Sequence, residues 1–466
     1  MGYLESILGV INDNIYVYVV LWLLILCGLY FTFKTRFAQF WLLPDSIRYV
    51  TEKSGEGKVS SFQALMTCTA SKVGTANIAG VAVAVVVGGP GSIFWMWVMA
   101  VIGAASSVVE ATLAQIYKSR TDDGKMFIGG PAYYISKALK KPKLSIAFSI
   151  LFVFVYMFAF SALQSNNMST AFETFIPNYH ETFWPMVIGV MFTILISLVV
   201  FGGLYRISFV SSYLVPAMAS VYLLVGLYIF TTNITRLPEV FGAIFQNAFD
   251  FSSLYGGFTG SVIIMGIKKG LLSNEAGMGS APNSAATAVT SHPVKQGIMQ
   301  ILSVGIDTLM ICSTSAFTIL LSKTPLASSF AGIPLMQEAV NSQVGAWGSY
   351  FIGLSVVCFS FSAIIGNFGI SEPNLLFIKK NQNFVNISRA VCLLAVFGGC
   401  IVGSKLVWSL AEIASAMLAI LNLIVIFLLR GKFSICFKDY LRQRKEGKDP
   451  VFKAEECGIY DTTEWK

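Results

Sequence analysis

The chain has 466 residues, of which 55% are hydrophobic and only 12% are charged, and its mean hydropathy is +0.70. A soluble domain would carry about 25% charged residues, so the composition excludes a soluble protein and indicates a chain embedded in a bilayer. Two histidines and eight scattered cysteines without metal-ligand spacing argue against a metal centre or a catalytic triad.

Apolar segments long enough to cross a bilayer recur along the whole chain. A transmembrane helix needs about 20 mainly apolar residues. The first segment has acidic residues before it and basic residues after it, so we expect a retained helix rather than a secretory signal. We predict eleven transmembrane helices, near residues 15–33, 60–87, 92–117, 145–172, 184–202, 207–231, 260–289, 296–322, 346–376, 385–403 and 406–430.

The remaining segments are shorter or more polar. Residues 237–250 and 333–345 are amphipathic and are predicted to be short helices at the membrane surface. The polar residues 433–466 are expected to form a mobile cytoplasmic tail.

The basic residues predict how the chain is oriented. Cytoplasmic loops of membrane proteins carry an excess of Lys and Arg. The predicted inner segments hold 26 of the 32 basic residues and the predicted outer segments hold three. We therefore expect a multi-pass protein of the cell membrane with its N-terminus outside and its C-terminus in the cytoplasm. The net charge of +8 then reflects topology, and no nucleic-acid partner is expected.

Two of the predicted helices are interrupted at mid-span by glycine and small polar residues. The interruptions are "SKVGTANIAG" (71–80) and "GLLSNEAGMGSAP" (270–282), and each begins a set of five helices. Because five is odd, the two sets enter the membrane from opposite sides, which is the inverted-repeat pattern of secondary transporters. The predicted units are 1–59 (extra helix and inner loop), 60–231 (first repeat), 232–432 (second repeat) and 433–466 (tail).

Broken helices of this kind predict a ligand site. Irregular backbone at membrane depth is tolerated where it lines a cavity or is buried in protein. Half-helix N-termini favour an anion, and exposed carbonyl groups favour a cation. A zwitterion that travels with a metal cation suits such a site, whereas a channel or an enzyme has no comparable need for it.

Several motifs resemble the alanine or glycine:cation symporter family, of the sodium:alanine symporter type. They are "VGTANIAGVA" (73–82), "GGPGSIFWMW" (88–97), "GGPAYYI" (129–135), "QSNN" (164–167), "KKGLLSNEAGMGSAP" (268–282), "HPVKQG" (292–297), "GIDTLMICSTSA" (305–316) and "FSFSAIIGN" (359–367). The resemblance implies a leucine-transporter-type (LeuT-like) core of ten helices, preceded by one extra helix. It also implies symport of a small amino acid, typically alanine or glycine, with Na⁺ and in some cases H⁺.

The resemblance also implies which residues form the site. Gly74, Thr75 and Asn77 would lie at the first break beside the substrate carboxylate, and Gln164 and Asn166 would face the same cavity. The second break would contribute Ser273, Asn274, Gly277 and Gly279 to the substrate site. The sodium site would be formed by Thr69, Ser360 and Ser362. The chain departs from the family pattern at two positions. Ala76 replaces a usual glycine and could make the first break less open, and Ala363 replaces a common threonine and could remove one sodium ligand.

Charged residues within the spans are the remaining candidates. A carboxylate at mid-membrane is costly and is usually paired or functional. Glu275 is predicted either to pin a half-helix through an ion pair with Lys72, Lys268 or Lys269, or to bind the coupling ion. The remaining coupling or gating candidates are Lys72, which could occupy a cation site itself, and Glu110 and Asp307, for each of which a packing or gate pair is expected first.

Alternatives stay open at this point. The polar residues at the breaks could only satisfy freed backbone groups or hold helices together, and the serines could bond to their own helix. Proton-coupled symport or exchange, or glutamine or serine as substrate, would fit the same pattern. A membrane-embedded enzyme or a sensor is the rival class, and it is disfavoured by the paired breaks. No cofactor and no obligate protein partner are expected.

Overall fold

The structure, a computed structural model, describes residues 2–52, 59–121, 124, 126–249, 262–322 and 332–465. These residues are mainly helical, and their one sheet is an antiparallel ribbon of β1 (Ser119–Arg120) and β2 (Phe127–Ile128). The helices are α1 (Gly2–Ile15, continued by the π-helical turn Tyr16–Val20 and by Leu21–Lys34), α2 (Ala38–Trp41), α3 (Leu43–Val50), α4 (Ser61–Lys72), α5 (Ala79–Gly88), α6 (Ser92–Ile116), α7 (Pro131–Ala138), α8 (Pro142–Thr170), α9 (Trp184–Val200), α10 (Gly203–Thr232), α11 (Leu237–Ala248), α12 (Val262–Asn274), α13 (Ser280–Ala285), α14 (Pro293–Leu321), α15 (Ile333–Val344), α16 (Trp347–Ile378), α17 (Gln382–Gly399), α18 (Ser404–Leu428) and α19 (Arg430–Lys445).

Helices of membrane-spanning length dominate the described residues. Seven helices (α1, α6, α8, α10, α14, α16 and α18) are long and apolar enough to cross a membrane, and the bent pair α4–α5 makes eight when it is counted as one span. Helix α9 is apolar but shorter. The predicted span near 260–289 coincides with α12 and α13, although residues 260–261 lie outside the described residues, and the predicted span near 385–403 coincides with α17. The prediction of an all-helical membrane protein is confirmed. The number of eleven spans, the LeuT-like repeat, the unit boundaries and the orientation stay predictions.

Helix α6 lies at the centre of the packing. Every residue from 102 to 116 is buried, and the run begins with the small residues Gly103, Ala104 and Ala105. Neighbouring helices approach it at glycines: a Cβ on Gly266 of α12 would lie 2.5 Å from the Ser92 carbonyl oxygen. Small residues of this kind let membrane helices pack backbone to backbone. Helix α6 is therefore the support against which α12 and α14 are placed.

The two predicted amphipathic helices are present as α11 and α15. Helix α11 packs close to the start of α6, where a Cβ on Gly91 would lie 2.3 Å from the Ala248 backbone nitrogen. The Trp95 indole donates to the Ala248 carbonyl group at 3.0 Å. The position of α11 and α15 at a membrane surface stays a prediction.

The C-terminal segment is packed against the protein, so the prediction of a mobile tail is wrong. Its first part forms α19, and Ile459 beyond that helix is fully buried. The Phe452 backbone N–H donates to the Ser291 carbonyl group at 2.9 Å, and the Trp465 indole donates to the Gln115 carbonyl group at 2.7 Å. The sequence looked mobile because its apolar residues are widely spaced, yet those few residues are the ones that pack.

Candidate functional site

The first broken helix is interrupted between Lys72 and Ala79. Helices α4 and α5 are bent by 61° about this break, which contains one turn of 3-10 helix, Thr75–Asn77. Gly74 is extended, with φ −120° and ψ −163°. A Cβ at Gly74 would lie 2.4 Å from the Gln164 Nε2 atom, so this side chain can approach the backbone only because the residue is glycine.

Helix α8 supplies the side chains that face the first break. The Gln164 Oε1 atom accepts hydrogen bonds from both the backbone N–H and the hydroxyl of Thr75, each at 2.8 Å. The Asn167 amide donates to the Thr75 hydroxyl oxygen at 2.8 Å. Gln164 and Asn167 therefore form the wall of the break on this side.

Asn166 does not share that wall. Its amide donates to the carbonyl groups of Gly399 and Val402, at 2.9 and 2.8 Å, and so ties α8 to the end of α17. Residues three apart lie on one face of a helix, whereas residues two apart do not. The sequence could have given this answer, because Gln164 at the site predicts Asn167, and not Asn166, beside it.

The second broken helix is interrupted between Asn274 and Ser280. Three residues of this break have positive φ: Glu275 (53°), Gly277 (81°) and Gly279 (85°). A Cβ at Gly277 would also lie 2.7 Å from Leu423. Glycine is required at Gly277 and Gly279 for conformation, while Glu275 adopts the left-handed region as a strained non-glycine residue.

The backbone N–H groups of the second break are bound by a carboxylate of the protein. Glu110 of α6 accepts from the Gly277 and Gly279 N–H groups at 3.3 and 3.1 Å, and from the Asn422 amide at 2.7 Å. Asn422 also donates to the Gly277 carbonyl group at 2.9 Å. Gly277 and Gly279 are thus held by Glu110 and Asn422, although the resemblance implied that they would contact substrate.

Asp307 links the two breaks. It lies in a π-helical turn of α14, Gly305–Cys312, a kind of irregularity that is frequent at functional sites. Its carboxylate accepts from the Asn77 amide and from the Ser273 hydroxyl, each at 2.5 Å. The Ser273 hydroxyl also lies 3.3 Å from the Asn77 Oδ1 atom. Predicted residues from both breaks therefore meet at one carboxylate.

The other predicted residue of the second break stays local. The Asn274 side-chain oxygen accepts from the Ala276 N–H at 3.0 Å, while its buried Nδ2 atom has no hydrogen-bond partner among the described residues. Asn274 therefore shapes the turn and keeps one donor free.

Acidic side chains outnumber basic ones around the breaks. Glu110, Glu275 and Asp307 are at most 2% exposed, and Lys72 is the one basic side chain buried beside them in the described part of the chain. The Lys72 ammonium lies 3.4 Å from the Ser303 hydroxyl and has no carboxylate within 4 Å in the described ranges. One basic side chain beside three acidic side chains leaves room for a proton or a further cation.

The lysines at 268 and 269 are not partners of Glu275. Both pair with Glu412 of α18, at 3.3 and 2.6 Å, and Lys268 also pairs with Asp13 of α1 at 3.1 Å. The Glu275 Oε2 atom is buried and has no hydrogen-bond partner among the residues that the structure covers. Of the three lysines proposed for Glu275, only Lys72 lies in its surroundings.

The predicted sodium ligands lie on two packed helices. Ser360 and Ser362 of α16 are fully buried, and neither hydroxyl has a partner in the described residues, so they do not bond to their own helix. Helix α16 packs on α4, where a Cβ at Gly366 would lie 2.5 Å from the Ser71 backbone nitrogen. Thr69 of α4 is buried, and its hydroxyl lies 3.4 Å from that of Ser303.

The comparisons with known proteins agree over almost the whole chain. Residues 1–454 match the model of the sodium:alanine symporter family. The amino-acid carrier protein AlsT of Bacillus subtilis is 43% identical over 468 residues, which cover 100% of this chain and 98% of the relative. The probable sodium/glutamine symporter GlnT of the same organism is 42% identical, covering 96% of this chain and 93% of the relative. The sodium/alanine symporter AgcS of Methanococcus maripaludis is 33% identical, covering 91% and 95%. The chain belongs to the sodium:alanine symporter family, a family of amino-acid:cation symporters.

Proposed function

We propose that this protein imports a small neutral amino acid, alanine or glycine, together with Na⁺ by alternating access. The observation that carries the proposal is the junction at Asp307, where side chains of both breaks bind one buried carboxylate and two further acidic side chains are buried nearby. A cation bound there would neutralise the Asp307 charge and draw the two half-helices together. Cation binding and substrate binding would then favour each other, which is the reciprocal coupling that symport requires.

The substrate carboxylate is assigned to the first break. The Gln164 amide oxygen accepts from both the N–H and the hydroxyl of Thr75, as a carboxylate oxygen would. A substrate carboxylate would replace this oxygen at Thr75, and the Gln164 amide could then donate to the substrate. The substrate ammonium is assigned to carbonyl groups between Ser273 and Gly277.

The room at the first break supports a small substrate. A Cβ at Gly80 would lie 3.6 Å from the Trp408 ring and 3.7 Å from the Ala76 methyl group. Gln164 closes the other side at Gly74. The substrate carboxylate displaces only Gln164 from Thr75, whereas a side chain longer than that of alanine would also have to displace Trp408 or Ala76.

The sodium ion is assigned to two groups of oxygen atoms. The first candidates are the hydroxyls of Ser360 and Ser362, which have no partner among the described residues, and that of Thr69 on the neighbouring helix. Asp307 with Asn77 and Ser273 forms the second group. Hard cations prefer such oxygen ligands. Ala363 adds no hydroxyl to the first candidates, which leaves Asp307 the stronger candidate for coupling.

Two alternatives have support of their own. The Glu275 Oε2 atom, buried without a hydrogen-bond partner among the described residues, favours H⁺ as a coupling ion, in symport or exchange. The similarity to a probable sodium/glutamine symporter favours glutamine as substrate. Uptake of radiolabelled alanine into proteoliposomes under a sodium gradient, a potassium gradient or a pH gradient, with unlabelled glycine, serine and glutamine as competitors, separates these possibilities. Sodium-driven accumulation with competition by glycine supports the proposal, and accumulation under the pH gradient alone contradicts it.

The neighbouring asparagines of α8 give a matched test of the substrate site. Asn167→Ala removes the donor to Thr75, so we expect the KM for alanine to rise about tenfold, corresponding to the 1–2 kcal/mol of one buried hydrogen bond. Asn166→Ala removes the tie to α17, so we expect lower thermal stability with the KM changed less than twofold. Uptake kinetics and thermal unfolding of both variants check this. The reverse assignment of the two effects would place the site on the other face of α8.

A further inference from the structure

The two lysines of α12 belong to a cluster of charges that joins three helices. We define the clasp as Asn12 and Asp13 of α1, Lys268 and Lys269 of α12, and Glu412 of α18. The Lys269 ammonium lies 2.6 Å from Glu412, and Lys268 bridges Glu412 and Asp13 at 3.3 and 3.1 Å. Two positive and two negative charges meet, so the clasp is neutral as a whole although both lysines and Glu412 are at most 7% exposed.

The extra helix α1 contributes directly to the clasp. The Asn12 amide donates to the Glu412 carboxylate. The Tyr16 hydroxyl lies 3.2 Å from the Glu412 backbone carbonyl oxygen and 3.1 Å from the Ser415 hydroxyl, and the Lys268 ammonium lies 5.2 Å from the centre of the Tyr16 ring. Helix α1 therefore fixes both α18 and the charged face of α12.

The clasp also borders the candidate site. Lys269 lies one helical turn before Ser273, its Cδ atom lies 4.0 Å from where a Cβ of Gly80 would be, and its ammonium lies 4.2 Å from the centre of the Trp408 ring. The clasp thus touches both broken helices.

A cavity connects the clasp to the first break. Its volume is about 440 Å³, and its lining includes Lys269, Trp408, Ala79, Thr170 and Asn167. Asn167 is the residue that donates to Thr75. In this structure the clasp is formed and the cavity reaches the break. The cavity lies on the side of the protein that is predicted to face outward.

We infer that Glu412 is a positioning residue of the transport cycle and that α1, through Asp13, is part of the outer gate. This inference rests on the proposed function. The clasp holds the half-helix α12 against α18 while the cavity is open, and it must be released when α12 rocks to close the cavity. Loss of the clasp lowers the fraction of molecules that face outward, and the apparent affinity for external substrate falls in proportion.

The experiment compares Glu412→Gln with Glu412→Asp in proteoliposomes. We expect Glu412→Gln to raise the KM for external alanine at least tenfold while the saturating rate changes less than threefold. Glu412→Asp keeps the charge and should stay within threefold of the unmodified protein in both quantities. The control is Glu239→Gln, which neutralises an exposed carboxylate of α11 and should change neither. An unchanged KM for Glu412→Gln, or a loss confined to the saturating rate, overturns the inference.

A second measurement does not depend on transport. A cysteine introduced at Thr170, inside the cavity, is labelled with a membrane-impermeant thiol reagent in the presence and absence of Glu412→Gln. We expect labelling to slow about tenfold in the double variant, and equal or faster labelling contradicts the inference. Absence of alanine flux in the unmodified protein would refute the proposed function and leave this labelling result to decide on the clasp. If Glu412→Gln does not fold, Asp13→Asn is used instead. We expect this variant to raise the KM for external alanine about threefold and to slow the labelling about threefold. An unchanged KM and an unchanged labelling rate would overturn the inference.

Discussion

Replacing Asp307 by asparagine is expected to abolish cation-driven accumulation of substrate. The substitution removes the charge that is assigned to the coupling cation. Asn77 and Ser273 donate to different oxygen atoms of the carboxylate, and an amide has an acceptor oxygen at only one of these two positions. A buried donor left without its partner costs about 1–3 kcal/mol, and the loss of a buried charge interaction adds to that. We expect the initial uptake rate to fall about 100-fold or more and the accumulation ratio to fall to equilibrium, as measured in proteoliposomes.

A matched variant separates charge from hydrogen bonding at this position. The Thr308 hydroxyl donates to the Asp307 carboxylate at 3.0 Å, so Thr308→Val removes one hydrogen bond and keeps the charge. The rate should then fall less than about tenfold, the equivalent of one hydrogen bond. Sodium should also raise the thermal unfolding midpoint of the unmodified protein, since a ligand of the folded state stabilises it, and should not do so for Asp307→Asn. An asparagine variant that still accumulates alanine with sodium would remove Asp307 from the coupling site.

The second large effect is expected for Glu110→Ala, and it concerns stability. The Glu110 carboxylate accepts from two backbone N–H groups of the second break and from Asn422. Its removal takes the acceptor from these three buried donors and from the Ser107 hydroxyl, at about 1–3 kcal/mol for each donor left unsatisfied, a large part of the 5–15 kcal/mol that stabilises a typical protein. We expect a loss of several kcal/mol in the free energy of unfolding in detergent and a strongly reduced yield.

Ser107→Ala is the control for Glu110. The Ser107 hydroxyl lies 3.3 Å from the same carboxylate, so this variant removes a neighbour of Glu110 without touching the break, and we expect a loss below about 1 kcal/mol. A Glu110→Ala protein of normal stability that fails to transport would show that Glu110 acts as a gating or coupling residue, the role that the sequence analysis had left open.

The positions of the two breaks could be predicted from sequence because glycine and small polar residues are costly in a membrane helix unless they serve a break. The family could be predicted for the same reason, since its motifs coincide with these segments. The partners of the side chains were harder to predict. Glu110 was a candidate for a packing, gating or coupling role and Gly277 and Gly279 were candidates for substrate binding, and the structure joins these three residues to each other.

The errors in the lysine pairings have a common physical origin. Lys268 and Lys269 are close to Glu275 in the chain, yet their partners Asp13 and Glu412 are supplied by helices about 250 and 140 residues away. Charges buried in a membrane protein pair wherever tertiary packing brings an opposite charge, and hydropathy carries no information about that choice. The choice between Asn166 and Asn167 is different, because the three-residue spacing from Gln164 already places Asn167 on the face of α8 that meets the break.

Coupling between the two ligands can be measured by equilibrium binding of alanine to the purified protein. Alanine affinity is measured in sodium and in potassium at equal ionic strength, and sodium affinity is measured with and without alanine. We expect sodium to increase alanine affinity at least tenfold and alanine to increase sodium affinity by the same factor, because coupling between two sites is reciprocal. Equal alanine affinity in sodium and in potassium would contradict this coupling.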